Sequence, residues 1–533
     1  MFSISLESLK INFVFISIMV TLGGSNSSPS PTYPLFNAAC EIKPMKTRLN
    51  NRMAHASHFF STATFAICIL FTVQTHAQYS GRGDDAPWRA TAAQKIDQNR
   101  KADLQITVQD ADGKKIQNAT VSIQMKKHAF KFGSAVDPRY LLESQSQYNA
   151  GYAAKVPEIF NAATLENHLK WRAWDGAWGN SFNQSVTQAG LDWLGDREID
   201  VRGHAMMWPR YQSVPDSVRA ILDISNPSQQ NLQDLYDLSF NHIADIGAAV
   251  KGKVFSWDML NEPRTSFDIE DKLIGFTPQG QSAITSRTDI RKRWFDAAQA
   301  VDNNASMFLN DFGIVAGGDN LQSTIRNNYR TVLTDLTAAN TPIDGLGFQS
   351  HFNETNRLPT SPTKIWELLD EFAADYDLPV HITEFDYNTT NKDLQADYTR
   401  DFMTAVFAHE SVEAFILWGF WEGKINHAEA ALFDIDFNPN LNGEEYLDLV
   451  FNQWWTEENG LSNSDGEFGT RGFLGDYEIT VDYQGKSYRQ NISLGSDGKN
   501  IIVSVPEPSS MAILSLIALP LLRRTRRSTP LRS

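Results

Sequence analysis

The strongest constraint on this chain is a regular alternation of short apolar runs with longer amphipathic segments. The runs are Phe130–Val136, Phe160–Leu165, Val201–Trp208, Val254–Leu260, Met307–Phe312, Gly345–His351, Val380–Phe385 and Ala414–Phe420, eight in all. Between them, stretches such as Asn231–Val250, Pro362–Tyr376 and Asp393–His409 space Leu, Phe and Ala at helical intervals and carry charges on the other face. Strands that alternate with helices call for a parallel sheet, because each parallel connection needs a crossover. Eight such units close an α/β fold of the (β/α)8 TIM barrel type, and residues 129–455 supply the length it takes.

Two β-rich segments flank the barrel. Over 78–128, Leu104, Ile106 and Val108 alternate, the chain turns at Asp112-Gly113, and Val121, Ile123 and Met125 alternate again, which predicts a small antiparallel β module. Past Trp454 and Trp455, residues 456–505 predict a second β appendage, with alternating Tyr477, Ile479, Val481 and Tyr483, a Gln484-Gly485 turn and a last strand at Ile501–Val505. Its aromatic alternation fits a packed sheet face or a carbohydrate-binding surface.

Charge narrows the partners. Lys and Arg total 47 against 63 Asp and Glu, and the net charge of −16 repels phosphate backbones and anionic membrane surfaces, so nucleic acid is not an expected partner.

Both ends read as targeting segments. Met45 opens a basic stretch (Lys46, Arg48, Arg52) before the apolar run Phe59–Val73, and Ala77 supplies a small residue for cleavage, so 45–77 is expected to be a signal peptide. Residues 1–44 then form an upstream extension outside the true start, although the run Ile11–Val20 leaves a first signal open. Cys40 and Cys68, the two cysteines, would be removed with these segments, leaving no disulfide and no thiolate metal site. The tail at 506–533 places Pro506-Glu507-Pro508 before the apolar run Met511–Leu522 and then Arg523, Arg524, Arg526 and Arg527. It resembles the PEP-CTERM sorting signal of Gram-negative bacteria that carry an exosortase. That resemblance implies export, transient membrane association through the tail and removal of the tail by the sorting protease, with a secreted or cell-surface destination. A simple tail anchor is the plainer alternative.

In a barrel, side chains at the C-terminal strand ends converge on one open face. The fourth strand ends Trp257-Asp258-Met259-Leu260-Asn261-Glu262-Pro263 and the seventh ends His381-Ile382-Thr383-Glu384-Phe385-Asp386, which puts one glutamate on each of two non-adjacent strands. Paired carboxylates across a sugar-sized mouth suit glycoside hydrolysis, where one is kept protonated and the other ionised. Nothing resembles His-Glu-x-x-His, so no metal or other cofactor is expected.

Six motifs in order carry a more specific resemblance: Glu166-Asn-His-Leu-Lys-Trp171, Arg202-Gly-His-Ala-Met-Met-Trp208, the Trp257–Pro263 run, Asn310-Asp-Phe312, Gln349-Ser-His351 and Ile382-Thr-Glu-Phe-Asp386. With them the stretch from Phe130 to Trp455 resembles family 10 of the glycoside hydrolases, the endo-β-1,4-xylanases, which implies xylan or a decorated heteroxylan as substrate. Carried over residue by residue, Glu262 becomes the general acid/base and Glu384 the nucleophile, with His351 orienting Glu384. Asn261 would bond the sugar 2-hydroxyl, and His204 and Lys170 would bind hydroxyls of the same sugar. Glu166, Asn167 and Gln349 would extend the polar contacts, while Trp418 and Trp421 would floor the pyranose rings. The resemblance gives Asp386 the role of supporting His351.

Departures concern specificity. Pro209 follows Trp208 where many family members carry a second His, and Phe312 replaces a Tyr on the leaving-group side. The Trp418-Gly-Phe-Trp-Glu422 run and Gly472–Val481 look like the plant-type branch. Two alternatives stand beside the xylanase reading: a β-1,4-glucanase of the same clan, and a non-catalytic carbohydrate-binding protein at the cell surface.

Overall fold

In chain order the strands are β1 (Lys101–Gln109), β2 (Thr120–His128), β3 (Lys131–Val136), β4 (Ala162–Leu165), β5 (Asp200–Gly203), β6 (Ser256–Asn261), β7 (Ser306–Asp311), β8 (Gly345–Phe348), β9 (His351–Asn353), β10 (Val380–Asn388), β11 (Val412–Leu417), β12 (Glu457–Leu461), β13 (Glu467–Phe473), β14 (Gly475–Tyr483), β15 (Lys486–Leu494) and β16 (Lys499–Ser504). They come from a computed structural model that describes residues 79–142 and 150–505. The expected upstream extension, signal peptide and sorting tail lie outside the described residues. Among those described, no helix is long and apolar enough to cross a membrane.

Eight strands close a parallel barrel in the order β3-β4-β5-β6-β7-β8-β10-β11, with β11 pairing back onto β3. All six residues of β6 and all four of β4 and β8 are buried, as expected of strands covered by the barrel interior on one side and helices on the other. The connecting helices follow the predicted periodicity. The helix Gln229–Val250 opens with a capping box between Ser228 and Asn231, and the helix Pro362–Tyr376 starts on a proline at its first turn, where no N–H is needed. The third strand is shorter than its apolar run: β5 stops at Gly203, and Met206 and Met207 continue beside β6 by donating to the carbonyls of Asp258 (2.9 Å) and Met259 (3.0 Å).

The flanking β segments are both present, and they interleave. β1 pairs antiparallel with β13 and parallel with β16, while β2 pairs antiparallel with β12 and β14. The result is a three-stranded sheet β13-β1-β16 and a four-stranded sheet β12-β2-β14-β15, each drawing on both ends of the chain. The predicted reversal exists, since Asp110 Oδ1 accepts from the backbone N–H of Asp112 (3.0 Å) and Lys114 (2.9 Å). It does not make β1 and β2 a hairpin, because their buried faces, Leu104, Ile106 and Val108 on one and Val121, Ile123 and Met125 on the other, belong to different sheets. The segment 78–128 also holds a helix, Trp88–Arg100, that the alternation did not announce. Arg100 ties its end to the barrel through the carbonyls of Phe407 (2.7 Å) and Val412 (2.6 Å).

Only Ala129 and Phe130 separate β2 from β3, so the β sheets adjoin the N-terminal ends of the barrel strands. Trp454 seals that face, stacked on Phe407 at 4.1 Å and on Phe132 at 5.9 Å. The opposite face, at the C-terminal strand ends, is left to the polar residues.

Candidate active site

Glu384 is 4% exposed and lies within β10. Its Oε1 accepts from Asn310 Nδ2 (3.0 Å), its Oε2 faces His351 Nε2 (3.2 Å), and His204 Nδ1 stands 3.9 Å away. Burial raises this carboxyl, but the His351 hydrogen bond and the charges of His204 and His351 outweigh it and hold Glu384 below the usual carboxylate range. His351 sits between two carboxylates, with Nδ1 2.9 Å from Asp386 Oδ2. Burial disfavours its charge, yet Asp386 and Glu384 together push it up to about 10, so both ring nitrogens act as donors.

Glu262 follows β6 on a strained backbone, with φ +53°. Its N–H donates to the carbonyl of Asn310 (2.8 Å), and its Oε1 accepts from Gln349 Nε2 (3.3 Å). Burial, then the negative charge of Glu384, raises the Glu262 carboxyl above its ordinary value, against smaller opposing effects of Gln349, Arg210 and His204. The two glutamates are thus driven apart in acidity, and each environment is set by side chains from other strands.

Asn310, at the end of β7, links them. Its Nδ2 donates to Asn261 Oδ1 (2.9 Å) as well as to Glu384, and its Oδ1 accepts from Thr383 Oγ1 (2.8 Å). Gly347 on the adjacent β8 leaves it room, since a Cβ there would meet Asn310 Oδ1 at 2.4 Å. Gln349 Nε2 reaches Asn261 Oδ1 as well (3.4 Å), while the buried Asn261 Nδ2 has no partner in the described residues and is a donor free for a ligand.

The other expected residues fall at the same mouth. His204 donates from Nδ1 to Asp258 (2.7 Å), which the Arg202 guanidinium grips with both nitrogens. Burial raises Asp258, and Arg202 and His204 more than offset it, holding that carboxyl low. Lys170 donates to Asn167 Oδ1 (2.8 Å), and its ammonium lies 5.4 Å from the centre of the Trp208 ring and 5.7 Å from that of Trp418. Asn167 in turn donates to Glu166 (3.0 Å). Trp418 meets His204 and His351 edge-on, at 5.1 and 6.2 Å. Trp421 stacks flat on Phe437 (5.0 Å, 7°), crosses Tyr152 edge-on at 5.9 Å and donates its N–H to Ile435 O (3.1 Å).

Several participants, Asn310, Asp258, Arg202, Thr383 and Lys424, were not among the expected site residues. Asn310 and Asp258 had a signal, being polar residues inside otherwise apolar barrel strands. Lys424, which pairs with Glu166 and lies 3.8 Å from Asp137, comes from the loop after β11 and had none. His204, Asp258 and Glu384 offer ligand atoms within 4.8 Å of one another, the spacing of a metal site. A cation there would have to displace the Arg202 fork or the His204 N–H, so these donors form a hydrogen-bonded support.

Gln349 gives a direct check of this electrostatic arrangement. Its hydrogen bond favours the charged Glu262, so Gln349→Met should raise the Glu262 carboxyl further and move the alkaline limb of kcat/KM to higher pH. An unmoved limb in a pH–rate profile would contradict it.

A closed parallel barrel whose C-terminal face holds two glutamates of opposed acidity is the architecture of a glycoside hydrolase. The sequence profile of Glycosyl hydrolase family 10 matches residues 122–444. This chain belongs to that family. Among curated proteins it is similar to the anti-sigma-I factor RsgI6 of Acetivibrio thermocellus, 28% identical over 431 residues, covering 79% of this chain and 50% of that one. It is also similar to endo-1,4-beta-xylanase 1 of Arabidopsis thaliana, 26% identical over 388 residues, covering 73% and 37%. The chain thus spans half or less of the length of these two relatives. Among solved structures, xylanase 10B from Thermotoga petrophila RKU-1 in complex with xylobiose aligns at 19% identity over 61% of this chain and 95% of that one, with a TM-score of 0.48.

Proposed function

We propose that this protein is a retaining endo-β-1,4-xylanase that cuts the backbone of xylan or a decorated heteroxylan. The observation that carries the reading is the opposed acidity of Glu262 and Glu384 at one barrel mouth. Glu384, ionised and aimed by His351 and Asn310, attacks the anomeric carbon and forms a glycosyl-enzyme ester as the glycosidic C–O bond breaks. Glu262 gives its proton to the departing oxygen. In the second half Glu262 takes a proton from water, whose oxygen displaces Glu384 and restores both carboxyls. Asn261 binds the 2-hydroxyl through its free Nδ2, His204, Lys170, Asn167 and Glu166 hold hydroxyls of the glycone side, and Trp418 supplies the ring floor.

The Arabidopsis relatives named as xylanases support the substrate class. Export through the 45–77 segment and sorting through the 506–533 tail belong to the same proposal, and N- and C-terminal sequencing of the mature protein tests them. The aromatic content of the chain motivates a second reading, in which the protein holds glycan without turning it over.

Proton NMR of xylo-oligosaccharide hydrolysis, resolved by anomer and run on residues 78–505, separates these. Initial β-anomer product is expected. Initial α-anomer would overturn the retaining mechanism, and binding without hydrolysis would favour the second reading; hydrolysis of β-1,4-glucan alone would move the substrate.

A further inference from the structure

The backbone that carries Glu262 is left-handed, a conformation unfavourable for a non-glycine residue that persists only where its surroundings enforce it. Two buried ion pairs stand on either side of it. On one side, Arg291 from the helix Arg287–Val301 donates through Nη2 to the carbonyl of Pro263 (2.8 Å), the residue after Glu262. Its Nε is held by Glu270 (2.9 Å), and the two side chains are 4% and 0% exposed. On the other side, Arg264 donates through Nη2 to Asp311 Oδ1 (2.9 Å) and to the carbonyl of Phe312 (2.7 Å), and its own N–H points to Asp311 Oδ2 (3.3 Å). Asp311 is fully buried at the end of β7.

Buried pairs of this kind are poor sources of stability, because desolvation consumes most of their attraction. Here the cost is visible. Burial, only partly offset by Arg291, pushes Glu270 up to about 7, and burial pushes Asp311 up to about 6 against Arg264. One Glu270 oxygen has no partner among the described residues. None of the four side chains hydrogen-bonds either glutamate carboxyl. What both pairs share is an attachment to the residues next to Glu262, one to the carbonyl of Pro263 and one to the backbone N–H of Arg264.

We propose that Arg291–Glu270 and Arg264–Asp311 are positioning residues, a two-sided clamp that fixes the left-handed turn and so places the Glu262 carboxyl at the leaving oxygen. The proposal rests on Glu262 being the acid/base. Its consequence is selective. A slackened clamp weakens protonation of the leaving group and leaves attack by Glu384 untouched, since the supports of Glu384 are His351, Asn310 and His204.

The test is the double variant Arg291→Met/Glu270→Met, which removes the donor to Pro263 without leaving a lone buried charge. The quantity measured is kcat/KM, which reports only the steps up to the glycosyl-enzyme and so excludes the later water attack that Glu262 assists, on aryl β-xylobiosides with a good leaving group (dinitrophenol) and a poor one (phenol), beside wild type, with a thermal melt to verify folding. The expected result is a loss of roughly 10- to 100-fold on the phenyl substrate and less than about 3-fold on the dinitrophenyl one, a fraction of what general acid catalysis supplies. Arg291→Lys, which retains a donor and a charge, should recover part of the phenyl rate and stands in if the double variant does not fold. Equal losses on both substrates, or none on either, would overturn the clamp while leaving the xylanase reading intact. Absence of wild-type turnover on both would overturn the reading and the clamp with it.

Discussion

Replacing Glu384 by glutamine is expected to lower kcat on xylo-oligosaccharides by about 10⁴-fold or more, since it removes the atom that bonds to the anomeric carbon. The amide keeps the shape but loses the negative charge that Asn310 and His351 both face. His351 would retain only Asp386 as a carboxylate partner and should titrate below its present value of about 10. That secondary effect is measurable by NMR titration of the imidazole, independently of turnover. A variant that keeps more than a tenth of the wild-type rate would rule out Glu384 as the nucleophile.

Glu262→Ala should behave differently. The loss in kcat/KM is expected to reach roughly 10²–10⁴-fold on xylan, whose leaving alcohol needs a proton, and to shrink on aryl glycosides whose leaving group departs unaided, while kcat on those substrates still falls because water attack loses its base. The pH profile should change with it. Wild-type activity requires Glu384 ionised and Glu262 protonated, so it falls at low pH through the depressed Glu384 and at high pH through the elevated Glu262. In the alanine variant the alkaline limb should disappear while the acid limb stays. If both limbs persist in kcat/KM, another group is the proton donor.

Much of this was legible in the sequence because barrel strands leave little choice. A strand covered on both faces reads as an unbroken apolar run, and a polar residue inside it, such as Asn261 or Glu384, marks the mouth. The helix Pro362–Tyr376 begins and ends where its apolar spacing does, because a proline opens it and a left-handed Asp377 closes it. Partnering in the flanking sheets was not legible. Alternation in β1 and β2 reports which side is buried, and the same pattern serves a hairpin or two strands in separate sheets. Lys424 was invisible for another reason: a loop lysine has no periodicity, and its role is set by where the loop after β11 returns to Glu166. The packing of Trp421 on Phe437 was not legible either, because strand-end aromatics look alike in sequence whatever their rings meet.

The interleaving of the flanking sheets sets an order of events for the growing polypeptide. β1 finds both of its neighbours only when β13 and β16 have been made, with Leu104 opposite Thr470 on one edge and Lys499 on the other. Closing so long a loop carries an entropic cost before any contact repays it, and such topologies form slowly. Both hydrogen-bonding edges of β1 therefore wait unpaired through most of synthesis, and its sheet is completed only when the last strand is made.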